Sequence, residues 1–131
     1  MFLEIASFDL TSAEIALNSV ADRLEFCADV TTGGITPDIT ELQYLKEKFN
    51  KPIHVMIRPI GGNFLYTDSE FLQMQKDIIR FSDAGADGFV FGILNEKNEV
   101  DAEKNKLLVD FALGKPCVFH RAIDRTPDIF K

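Results

Sequence analysis

A chain of 131 residues, 46% of them hydrophobic, is long enough for one domain with a real core and short for two. Its net charge of −7, with 14 basic residues that form no long cluster, argues against a nucleic-acid or anionic-membrane surface, so the expected partner is a small ligand, a metal ion or another protein chain. No apolar run nears the ~18 residues of a membrane span, and Met1 leads straight into an apolar run with no basic leader, so a cytoplasmic protein is expected.

The first predicted strand is residues 2–9 (FLEIASFD), and Thr11-Ser12-Ala13-Glu14 has the T-x-x-E pattern of a capping box opening a helix near 12–21. A second strand at 23–29 (RLEFCAD) runs into a loop with Gly33-Gly34. Thr36-Pro37 then offers an N-cap and a first-turn proline for a helix near 37–49, buried through Ile39, Leu42, Leu45 and Phe49. The third strand, 52–59 (PIHVMIRP), leads to a loop with Gly61-Gly62. A second capping box, Thr67 to Glu70, opens a helix near 69–84 with Phe71, Met74, Ile78 and Phe81 inward and Gly85 closing it. The fourth strand is 88–94 (GFVFGIL). Asp101 caps the next helix, whose inner stripe is Leu107, Leu108, Phe111 and Ala112 and whose stop is Gly114. The fifth strand is 116–124 (PCVFHRAID), after which Thr126-Pro127-Asp128-Ile129 repeats Thr36-Pro37-Asp38-Ile39 and so opens a fifth helix.

Strands alternating with helical segments specify an α/β fold with a parallel sheet. The expectation is a single domain over residues 1–131, a TIM-barrel-like partial barrel of about five βα units, because a closed barrel of this kind takes roughly 250 residues. The loops that follow strands two and three are long and carry glycine pairs, which marks the C-terminal ends of the strands as the functional face. An incomplete barrel leaves its first and fifth strands as open edges, so a homodimer or higher homo-oligomer is expected, with the region of strand five at the interface. Cys27 and Cys117 lie inside strands and are read as reduced thiols.

Parallel strands covered on both faces are nearly all apolar, yet Glu4, Glu25, His54, Arg58 and His120 interrupt these. Period-two alternation sends Ile53, Val55 and Ile57 toward the helices and His54, Met56 and Arg58 into the barrel; it sends Glu4, Ala6, Arg23, Glu25, Cys27, Val118 and His120 inward as well. Three readings of this polar centre compete. In the structural one, Glu4 and Glu25 pair with Arg23 and Arg58. In the enzymatic one, Glu25 or His120 is the general acid/base, Arg58 with Arg121 clamps a small anionic metabolite, and Glu4, Arg23, Gly61 and Gly62 complete the binding site. In the metal one, Cys27, Met56 and His120 supply thiolate, thioether and imidazole, a donor set that suits Cu(I).

At these residues the chain resembles the CutC family, named for copper homeostasis. The likeness is carried by Leu3-Glu4-Ile5, Ala21-Asp22-Arg23-Leu24-Glu25-Phe26-Cys27, Gly33-Gly34-Ile35-Thr36-Pro37, Val55-Met56-Ile57-Arg58-Pro59, Gly61-Gly62-Asn63-Phe64 and Phe119-His120-Arg121-Ala122-Ile123-Asp124, in order over almost the whole chain. The resemblance implies a TIM-barrel-like fold, a cytoplasmic protein, dimerisation, a role in handling copper(I), and further βα units beyond those present. This chain departs from the pattern at Ala6, where family members often have Cys, and at Asn63, where Asp is common.

Overall fold

The computed structural model describes residues 1–120. Its elements alternate: β1 (Glu4–Ser7), α1 (Leu10–Leu17), β2 (Arg23–Phe26), α2 (Ile39–Lys48), β3 (Ile53–Met56), α3 (Asp68–Asp83), β4 (Gly88–Phe91), α4 (Ala102–Phe111) and β5 (Cys117–Phe119), with a single 3₁₀ turn at Val30–Thr32 after β2. The strands form one sheet in the order β1-β2-β3-β4-β5, every neighbouring pair parallel. Each helix is thus a crossover between adjacent strands, the βα repeat expected from the sequence. Arg121 and the second Thr-Pro-Asp-Ile segment lie outside the described residues.

Two helix starts differ from expectation. Asp9, not Thr11, caps α1: its carboxylate accepts the Ser12 amide at 2.7 Å. A charged acceptor at the positive end of a helix is a stronger cap than a hydroxyl two residues further in. Asp38 caps α2 by accepting from the Thr40 amide, also at 2.7 Å, while Thr36 serves the neighbouring strand, its Oγ1 accepting the Arg58 amide at 2.8 Å. The capping box at Thr67 and Glu70 is formed in both directions, and Asp101 caps α4. In α4 the inner stripe narrows to Leu108 and Ala112 with Phe111 beside them, while Leu107 is 46% exposed.

The core lies between sheet and helices. Leu24, Phe26, Ile53, Val55, Ile57, Phe89, Phe91 and Ile93 face Leu42, Leu45, Met74, Ile78, Phe81 and Leu108, all sealed from solvent. Register aligns Ser7, Phe26, Val55, Phe89 and Cys117 in one row across the five strands on this face. The opposite face carries a separate small cluster, Cys27, Met56 and Val90, with Phe8 against it. The alternation read from the sequence therefore holds, and what remains is how the inward face is built.

Candidate functional site

The inward face is layered by register. Glu4 and Arg23 are paired across β1 and β2; above them Ala6, Glu25, His54 and Gly88 form a second row; Met56, Val90 and Val118 form a third. Arg58 and His120 sit just past the ends of β3 and β5, at the C-terminal side of the sheet. An open cleft of 470 Å³ lies over this face, lined among others by Ala6, Glu25, Met56, Val90, Val118 and His120. It is the position at which parallel α/β sheets present their ligand sites.

Glu4 and Arg23 form a close ion pair, with Arg23 also lying 4.9 Å from the centre of the Phe2 ring. This half-exposed pair occupies Arg23 structurally. Glu25 lies beside this pair, within reach of both charges. Burial, and then the negative charge of Glu4, push the Glu25 carboxyl above its ordinary range. The Cys27 thiol points at Glu25 Oε1 at 3.9 Å, and burial together with that carboxylate raises the thiol to about 12.

Arg58 is placed differently from the expected anion clamp. Although it is 5% exposed, its Nη1 donates to the carbonyls of Thr32 at 2.8 Å and Gly34 at 3.0 Å, and its Nη2 to that of Gly62 at 3.0 Å. The guanidinium also stacks on Phe64 at 4.5 Å. One side chain thus ties together the loops after β2 and β3 through both terminal nitrogens. Gly62 contributes its carbonyl to that tie rather than an amide to an anion, and Gly61 packs against the Thr32 side chain, 3.0 Å from where a Cβ would lie.

His120 is buried against two rings, Phe64 at 4.9 Å and Phe119 at 6.0 Å between centroids. His54, not among the expected site residues, is also buried, and its Nδ1 has no hydrogen-bond partner among the described residues. Burial, then the nearby Arg23 charge, lower its basicity, so it is a neutral imidazole. Both rings depend on glycines of β4 and its end. A Cβ on Gly88 would stand 2.6 Å from His54 Nε2, and one on Gly92 2.8 Å from His120 Cε1. The sequence signal was GFVFG itself: glycines at period-two spacing bracketing an inward valine, which reserve room for two imidazoles.

Among the described residues no three His, Cys, Asp or Glu side chains converge as a metal cluster. Cys27 and Met56 do fall in the same buried inward cluster, with Val90. Cys27 and Cys117 are both free thiols. Among the described residues, no helix is long and apolar enough to cross a membrane.

The sequence model of the CutC family matches residues 1–131. The chain belongs to the CutC family. A CutC-named relative from Proteus mirabilis is 40% identical over 122 residues, 93% of this chain and 49% of its own length. A human protein named copper homeostasis protein cutC homolog is 40% identical over 126 residues, 96% of this chain and 46% of its own. The crystal structure of the putative copper homeostasis protein CutC from Streptococcus agalactiae superimposes with a TM-score of 0.87 at 37% identity, covering 97% of this chain and 62% of that one. The chain therefore spans about half the length of these curated relatives, and its parallel sheet with outer helices is part of a TIM-barrel-like CutC fold.

Proposed function

We propose that this chain acts in copper homeostasis by carrying Cu(I) as cargo on the inward face of its sheet, with Cys27 and Met56 as soft donors and His120 at the cleft as a third. The observation that carries the reading is that Cys27 and Met56 share one buried cluster, next to a cleft that Met56 and His120 help to line. Thiolate and thioether together select Cu(I) over harder ions. The cleft also suits a cation better than an anion, since Arg58 is turned away into carbonyls while Glu25 faces the opening. The names of the relatives, copper homeostasis proteins, point the same way.

A thiol held near 12 is protonated at neutral pH, so loading Cu(I) must displace that proton. Affinity should then rise about tenfold per pH unit through the neutral range. Competition against a chromogenic Cu(I) chelator under reducing conditions tests this. Cys27→Ser should weaken binding by more than ~1.4 kcal/mol, a factor of ten, and flatten the pH slope. Equal affinity and an unchanged slope in the variant would remove Cys27 from the site.

A further inference from the structure

We propose that Phe64 is a positioning residue for His120, an inference resting on the reading of His120 as a third donor to Cu(I). The Phe64 ring, held on strained backbone, seats the imidazole at the cleft and links it to the Arg58 tie between the loops after β2 and β3. Phe64 has a φ of +65°, in the left-handed region where a bulky side chain is an outlier and glycine or asparagine is the usual occupant. Both of those residue types stand just before it, as Gly62, itself at +117°, and Asn63. Turn geometry alone therefore does not account for a phenylalanine at this position. Strain of this kind persists where the surroundings over-determine it, and it collects at functional sites.

The surroundings do so here. The Asn63 side chain accepts the Leu65 amide at 3.2 Å, and the Phe64 carbonyl accepts the Leu94 amide at 3.0 Å, so the strained residue is anchored on both sides. Phe64 is 6% exposed and packs with Leu94 and Val100 of the loop after β4 and with Phe119 of β5. Its ring has a cation on one flank and the imidazole on another: the Arg58 guanidinium carbon lies 4.5 Å from the ring centre, and the His120 centroid lies 4.9 Å away at an interplanar angle of 48°. The rest of the His120 seat is closely made as well. A Cβ on Gly92 would stand 2.8 Å from His120 Cε1 and 3.0 Å from Nδ1, and Phe119 lies 6.0 Å from the imidazole between centroids. Gly92 and Phe119 belong to neighbouring strands and fix the ring only along the sheet. Phe64 comes from the loop that Arg58 holds through the Gly62 carbonyl, so it is a contact through which that tie sets where the imidazole stands. A donor whose position is locked by packing in this way is what a tight site needs.

Proton NMR on the metal-free 131-residue chain should show nuclear Overhauser contacts from the His120 imidazole to both Phe64 and Gly92 in the wild type; their absence would overturn the proposal. Phe64→Leu keeps an apolar side chain without a ring, and Phe64→Tyr keeps the ring. The contact between His120 and Gly92 should be lost in the first and kept in the second. In competition against a Cu(I) chelator, Phe64→Leu should weaken binding about tenfold and Phe64→Tyr less than about twofold. In a His120→Ala background, Phe64→Leu should change the affinity by less than about twofold, because the ring acts through the imidazole. Should Phe64→Leu fail to fold, Phe64→Asn, whose backbone accepts +65°, carries the same comparison. Equal losses with and without His120, or an imidazole that keeps its Gly92 contact when the ring is gone, would overturn the seating role alone. Wild-type affinity in His120→Ala would instead remove His120 as a donor, which is the reading beneath it.

Discussion

The two faces of this sheet are built from the same strands by the same alternation, and they are finished to different degrees. Toward the helices, Phe26, Val55 and Phe89 stand in register in the apolar core, each fully buried. Toward the barrel interior, the residues one position along are Glu25, His54 and Gly88, a carboxyl, an imidazole and a gap. The first face gains its free energy from burial, and the row's hydroxyl, Ser7, stands at the β1 end of the sheet. The second holds a carboxyl raised by burial, a thiol near 12 and an imidazole kept neutral, all of which lower stability relative to an apolar filling. Groups kept at such a cost on one face only are what a ligand site looks like in a fold that has a complete core elsewhere.

The comparison breaks most visibly at its apolar side. Phe26→Ala should destabilise the protein by about 3–5 kcal/mol, enough to unfold a marginal domain, as read from the midpoint of urea denaturation. A cost below ~1.5 kcal/mol would mean that the helix-facing layer can collapse around the loss and is not the main source of stability. The inward face should respond to added volume instead. Gly88→Ala drives a methyl toward His54 Nε2 and the Pro116 carbonyl, at 2.6 and 2.7 Å, and should cost about 1–3 kcal/mol. Pairing it with His54→Ala should recover a large part of that cost, because the ring is one of the two obstacles. A strictly additive double variant would show that the backbone carbonyl alone sets the limit and that Gly88 is not there for the imidazole.

The alternation, the four helices of the described residues and the cap at Thr67 were legible because each rests on local pattern: period two, spacing of three and four, and a reciprocal hydroxyl–carboxylate pair. Asp9 and Asp38 were misread in favour of nearby threonines, since a sequence does not show which of two capable acceptors the backbone reaches first. Cys27 and Met56 were rightly placed on one inward face. Arg58 was placed on the right face as well, but its role was not legible. Its partners are three backbone carbonyls in two loops, and a carbonyl has no sequence identity. The same limit hid His54, whose importance appears only once Gly88 is seen beside it across the sheet.

The smallest effect separates the faces by pH. Glu25 has its folded-state carboxyl pKa raised above the ordinary 4.5, first by burial and then by Glu4, so the native state holds this proton more tightly than the unfolded chain does. Its contribution to stability is therefore full below 4.5 and is lost as pH rises through the folded-state value. Glu25→Gln, which mimics the protonated form, should abolish that loss, so the variant gains on the wild type between about pH 4 and about pH 8. Because the carboxyl is partly solvated, screening keeps the gain under about 1 kcal/mol. Urea midpoints at the two pH values measure it. Phe26→Ala supplies the control, since it removes no titrating group and its cost should be the same at both. If the Gln variant and the wild type run parallel across that range, Glu25 is ionised in the folded protein at no penalty, and the inward face loses the feature that most sets it apart from the face behind it.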